Sequence, residues 1–98
     1  MNRFLLFTKD SCGPCGLVKK YIKALHDERE SLIEQIELED FSDTPIPEEN
    51  LALAKKYGVT ATPVFLVISP NGLLLEKRIG GLPITQSIRK LWGQYGTN

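Results

Sequence analysis

Ser11-Cys12-Gly13-Pro14-Cys15-Gly16 holds both cysteines of a 98-residue chain. The stretch lies where an apolar run, Phe4-Leu5-Leu6-Phe7, gives way to a helical pattern. In that pattern Leu17, Val18, Tyr21, Ile22 and Leu25 make one apolar face. A Cys-x-x-Cys pair at a strand-to-helix junction can close into a small disulfide ring and open again, which is the chemistry of a redox motif. A helix that begins near Gly13 or Pro14 places Cys12 at its N-terminus. First-turn N–H groups lack intrahelical partners and carry the positive end of the helix dipole, so they favour thiolate over thiol. Pro14 suits that first turn, where its missing N–H would be unpaired anyway. Cys12 is therefore the expected nucleophile, and Cys15, one turn further in, the expected resolving thiol.

Two plainer readings compete. Two cysteines and one histidine cannot close a four-ligand zinc site within one chain, so no metal is expected. A static disulfide over so short a loop would add little stability, because the entropy gain grows with loop length.

The chain is long enough for one small domain, taken as residues 1–98. Twelve basic and twelve acidic residues cancel, so nothing suggests a nucleic-acid surface. The apolar run at the start is four residues long, too short for a signal-peptide core or a membrane span. A cytoplasmic location is expected, where a cysteine pair is more often catalytic than structural.

Outward from the cysteines, Arg3 to Thr8 reads as a buried strand, and Pro14 to about Glu30 as a helix. His26 lies at the edge of that helix's apolar face and reads as a surface or half-buried residue. Leu32 to Leu38 suits a strand near the sheet edge, and Asp40 to Pro47 a loop. Pro47 can start a second helix, with Glu48 and Glu49 in its first turn and Leu51, Ala54 and Tyr57 facing inward. Gly58 is its expected left-handed cap. Val64 to Ile68 is a continuous apolar run that suits a central strand. Ser69-Pro70-Asn71-Gly72 is a hairpin turn, Leu73 to Ile79 the partner strand, and Gly80-Gly81 its break. Ile84, Ile88, Leu91, Trp92 and Tyr95 mark a closing helix. The order β-α-β-α-β-β-α, with a right-handed crossover between the first two strands, gives an α/β fold. It is a four-stranded mixed sheet with helices on both faces.

These residues resemble the thioredoxin superfamily over nearly the whole chain. Cys12-Gly13-Pro14-Cys15 is similar to the thioredoxin active-site tetrapeptide. Asn50 to Pro63 is similar to the segment from helix to strand that ends in the family's cis-proline, here Pro63. Pro70-Asn71-Gly72 and Gly80 match the hairpin turn and the late glycine. There are departures. The chain opens directly on the strand before the cysteines, which gives a glutaredoxin-sized core. Ser11 stands where thioredoxins usually carry Trp. The buried acid that helps take the proton from the resolving cysteine falls at Leu6. Lys9 resembles the glutaredoxin lysine that touches glutathione, and Ile79-Gly80-Gly81 its Gly-Gly turn. The acidic residue that follows that turn is missing from Leu82-Pro83-Ile84-Thr85.

The resemblance implies a thioredoxin fold and a thiol–disulfide oxidoreductase that reduces protein disulfides through a reversible Cys12–Cys15 pair. It implies a substrate surface built from Ser11, Gly13, Pro14, Thr62, Pro63, Gly80 and Gly81. A cis Pro63 would hold the Thr62 backbone beside Cys12 to pair with an extended substrate; the alternative is a trans proline at a strand start. No bound cofactor is implied. Electrons would come from an NADPH- or ferredoxin-linked thioredoxin reductase, or from glutathione. The implied partners are disulfide-containing proteins and that reductase, with no nucleic acid or membrane, and the protein a monomer. Two other functions fit: a glutaredoxin-like, glutathione-dependent reductase, or a redox-inert docking subunit that only borrows the fold.

Overall fold

Phe4 to Thr8 are all buried, and this run becomes the inner strand β1 (Arg3–Thr8) of a four-stranded sheet. The computed structural model describes residues 1–96. Helix α1 (Gly13–Ala24) and a 3₁₀ segment (Glu28–Leu32) lead to β2 (Ile33–Glu37). Helix α2 (Glu48–Lys56) leads to β3 (Val64–Ile68), the hairpin partner β4 (Leu74–Ile79) and helix α3 (Gly81–Tyr95). The order across the sheet is β2-β1-β3-β4. β1 pairs parallel with β2 and antiparallel with β3, and β3 pairs antiparallel with β4. This is the mixed sheet that the chain order implies, with β2 at an edge.

Alternation along the inner strands sends side chains to two cores. Phe4 and Leu6 of β1 and Phe65 and Val67 of β3 meet α1 and α3 through Val18, Ile22, Ile84, Ile88, Leu91 and Trp92. Leu5, Phe7, Val64, Leu66 and Ile68 meet Ala54 of α2 on the other face. Both faces of β3 are covered, which is why its sequence is apolar throughout. Each fully buried aliphatic or phenylalanine side chain contributes about 1.5–3 kcal/mol before chain entropy is charged against it. β4 closes the far edge with Glu76, Lys77 and Arg78, charges that discourage a further strand from adding. No helix among the described residues is long and apolar enough to cross a membrane.

Several boundaries and faces differ from the expectation. α1 stops at Ala24 rather than near Glu30, because His26 turns to a positive φ of 49°. Asp27 then caps the 3₁₀ segment, accepting from the Arg29 N–H at 2.9 Å. The inner stripe of α1 is Cys15, Val18 and Ile22, with Leu25 partly buried, while Leu17 is left exposed. On α2 the inward residues are Leu53, Ala54 and Tyr57, and Leu51 is exposed. The expected glycine cap of α2 is present, with Gly58 at φ 65°. The hairpin turn closes through Ser69 N–H to Leu73 O at 2.8 Å and Gly72 N–H to Ser69 O at 2.9 Å. Gly72 sits at φ 88° there, a conformation that favours glycine.

Candidate active site

The loop after β1 delivers Cys12 to the start of α1. Cys12 is the N-cap residue, with extended backbone angles, and its Sγ accepts the Cys15 N–H at 3.2 Å. A first-turn donor of α1 thus points at the Cys12 sulfur, the place where the helix dipole favours negative charge. Pro14 lies in the same first turn. Cys12 and Cys15 are joined as a disulfide with Cα atoms 5.3 Å apart, inside the usual range for such a bond. The two sulfurs differ in access: Cys12 is partly exposed, whereas Cys15 is 2% exposed. An incoming group meets Cys12 first.

The remaining expected residues divide into two sets. Thr62-Pro63 is a cis peptide bond, and Pro63 is buried just ahead of β3. The Pro63 carbonyl accepts from the Gly80 N–H at 2.9 Å, which ties the start of β3 to the end of β4. Gly80 has φ 96°, and the chain turns there into α3. Gly81 then lies against α1: a side chain at that position would meet Pro14 and Val18 at 3.7 Å. Pro63, Gly80, Gly81, Pro14 and the cysteines therefore form one continuous neighbourhood. Leu17, Leu82 and Thr85 extend it as an open apolar groove of about 390 Å³ between α1 and α3. The exposure of Leu17 and Leu82 has this meaning, and helical periodicity alone did not mark it.

Ser11 belongs to the other side of the site. Its N–H donates to Glu39 Oε1 at 2.9 Å, and Asp10 Oδ2 accepts from the Phe41 N–H at 2.8 Å. Hydrogen bonding from Ser11, through its side chain and its N–H, holds the Glu39 carboxyl below the usual range. Lys9 adds a smaller effect in the same direction. The loop that carries Cys12 is thus pinned to residues just after β2. Glu39 and Phe41 were not among the expected site residues, since no motif marks them. Lys9 contributes its carbonyl, which accepts from the Cys12 N–H at 3.2 Å.

The family model described as a thioredoxin-like domain matches residues 2–94. None of the curated proteins matches the chain. Among solved structures, thioredoxin from Fasciola hepatica is 26% identical, with a TM-score of 0.64, and the match covers 96% of this chain and 80% of that one. Mitochondrial thioredoxin 3 from Saccharomyces cerevisiae, in its oxidised form, is 25% identical, with a TM-score of 0.60 and coverage of 91% and 74%. The germline-specific thioredoxin Deadhead from Drosophila melanogaster is 21% identical, with a TM-score of 0.65 and coverage of 96% and 80%.

Proposed function

We propose a function from one premise: the chain belongs to the family of thioredoxin-like domains. A thioredoxin-like fold with its cysteine pair joined supports a thiol–disulfide oxidoreductase in general. Our finer reading is a reductase of protein disulfides. The Cys12 thiolate attacks one sulfur of a substrate disulfide and forms a mixed disulfide, and the other substrate sulfur leaves as a thiolate. Cys15 then attacks Cys12, closes the Cys12–Cys15 bond and releases the second substrate sulfur. The substrate gains two electrons and the cysteine pair loses them. The observation that carries this reading is the asymmetry of the pair: an accessible Cys12 sulfur facing a helix-start N–H, and a buried Cys15 behind it.

The groove lined by Pro14, Leu17, Gly81 and Leu82 supports a polypeptide substrate with apolar residues near its disulfide. The Thr62 backbone offers such a chain a place to pair as an added strand. A thioredoxin reductase is the electron donor that fits this reading, and glutathione is the donor of the glutaredoxin-like alternative.

Replacing the resolving thiol is the direct test. Cys15→Ser should accumulate a covalent mixed disulfide with a protein substrate, and Cys12→Ser should not. If Cys12→Ser is the variant that traps substrate, the roles are reversed. Insulin reduction recycled side by side by a flavin thioredoxin reductase and by glutathione separates the two donors. Binding of a partner that survives loss of both cysteines would favour the redox-inert docking subunit.

A further inference from the structure

The turn that presents Cys12 is cross-linked to the chain just after β2. Its ends meet through the Cys12 N–H and the Lys9 carbonyl at 3.2 Å. Asp10 Oδ2 accepts the Phe41 N–H at 2.8 Å, and Glu39 Oε1 accepts the Ser11 N–H at 2.9 Å. The Asp10 N–H reaches the Glu39 carbonyl at 3.4 Å. Glu39 is half-buried, whereas Asp10 and Ser11 are exposed. Among the described residues, the Glu39 carboxylate is the one bonded to the residue before Cys12. Six covalent bonds separate the Ser11 nitrogen from Cys12 Sγ, a span of at most about 7 Å. Glu39 Oε1 therefore lies within about 10 Å of that sulfur, one Debye length at 0.1 M salt.

Two opposing fields meet at Cys12. The Cys15 N–H, at the positive end of α1, favours the thiolate. The Ser11 N–H is committed to Glu39 instead. The Glu39 carboxylate opposes the thiolate, because a nearby like charge disfavours ionisation. Hydrogen bonding from Ser11 keeps Glu39 ionised across the range in which a thiol titrates. The other charged groups of the two loops are Lys9, Asp10 and Asp40. Lys9 offsets part of the Glu39 charge. Asp10 is exposed, so solvent and salt screen it. Asp40 is engaged by Ser42, whose N–H donates to its Oδ1 at 2.8 Å. Thr62, Pro63 and the stretch from Gly80 to Thr85 bring no charge. The first lysine of α1, Lys19, is bonded to Glu37.

We propose that Glu39 holds the Cys12 thiolate less stable than the helix start alone would make it, and thereby keeps the cysteine pair a reductant. The inference rests on the proposed disulfide exchange at Cys12 and Cys15. A cysteine pair whose thiolate is strongly stabilised favours its reduced form and acts as an oxidant. When glutathione reduces the pair, two glutathione thiols join as a disulfide, and their two electrons and two protons pass to Cys12 and Cys15. Above its pKa Cys12 then releases its proton. A charge that disfavours the thiolate pulls that equilibrium back toward the disulfide. The oxidised pair carries no charge on sulfur, so Glu39 acts on the reduced state alone. Glu39 is a positioning residue, acting by its charge from its place on the Ser11 N–H.

Alkylation of the reduced protein by iodoacetamide, an uncharged reagent, follows the Cys12 thiolate against pH, with the modified cysteine identified by mass. Glu39→Gln keeps an oxygen for the Ser11 N–H and removes the charge. At low ionic strength its midpoint should fall by about 0.5 pH units, a gain of about threefold in thiolate below the midpoint. The shift should shrink to about 0.1 in 1 M salt, where the Debye length is about 3 Å. Equilibration with glutathione at low ionic strength, above the midpoint, should give Glu39→Gln about threefold more dithiol relative to disulfide than wild type. Glu28→Gln, beyond the far end of α1 and about 18 Å along that helix, should match the wild type in both assays. A Glu39→Gln profile that superimposes on wild type at low ionic strength overturns the proposal. So does a shift that survives 1 M salt, which marks lost loop geometry rather than lost charge. A glutathione equilibrium that stays put or moves toward the disulfide overturns it too. A wild type that reduces no insulin fails the proposed function instead, and the alkylation profiles still decide the role of Glu39.

Discussion

One face of the sheet is covered by two helices and the other by one. α1 and α3 bury Val18, Ile22, Ile84, Ile88, Leu91 and Trp92 against β1 and β3. α2 is nine residues long and buries Ala54 alone, so that face relies on the strands' own residues. At its far edge, Ile79 pairs with Val64 yet remains exposed. Both cysteines lie on the two-helix side, as do Thr8 and Glu37. The comparison teaches that the reactive sulfurs are carried by the densely packed layer. There Cys15 can be kept from solvent while Cys12, at the layer's rim, stays open to it.

The severest way to break this contrast is a charge inside the denser layer. Leu6→Asp should cost about 4 kcal/mol or more in urea unfolding, from a lost core side chain and a carboxyl with no partner. A stability loss below about 1 kcal/mol would mean that water already reaches that layer.

Paired truncations sharpen the comparison. Ile88→Ala, in the two-helix layer, should destabilise by about 2–5 kcal/mol. Leu53→Ala, at a half-buried position on α2, should cost less than about 1.5 kcal/mol. Denaturant midpoints measured on both variants check this, and equal losses would erase the difference between the faces.

The smallest expected effect lies at the end of the two-helix layer. Arg29 stands over the Trp92 ring at 5.3 Å and is held by Asp27. Hydrogen bonds from the Arg29 side chain, and then from its N–H, hold the Asp27 carboxyl down to about 2. A depressed carboxyl stabilises the fold above its unfolded pKa of about 3.9, and that support is lost as pH falls toward about 2. Asp27→Asn should therefore lower stability slightly at neutral pH and flatten the loss between about pH 4 and 2. Acid titrations of both proteins by circular dichroism compare the slopes, and identical slopes would show that the pair carries no pH dependence.

Local patterns made much of this molecule legible. The runs Phe4 to Phe7 and Val64 to Ile68 read as buried strands, and the turn at Asn71-Gly72 marked the hairpin between β3 and β4. Pro14 after Cys12 located the start of α1, so the unequal standing of the two cysteines followed from the chain itself. Periodicity was a poorer guide to which side of a helix faces inward. Leu17 and Leu51 fit an apolar stripe as well as Val18 and Leu53 do, and only packing against the sheet sets the rotation of a short helix. The early stop of α1 was hidden because no glycine or proline marks His26, and the positive φ there comes with the turn into Asp27.

The sequence by itself determined the order of the four strands and three helices and the position of the cysteines at a helix start. These depend on neighbours in the chain, on alternation along strands, and on the few residues that turns and caps accept. Only the tertiary structure decided that Pro63 reaches Gly80, that Gly81 lies on Pro14, that Glu39 pins Ser11, and that Thr8 shares a rung with Glu37. The members of each pair are separated by 17 or more residues. Their meeting is set by strand register and by the crossing of helices over the sheet. Those are collective outcomes of packing that no local pattern records.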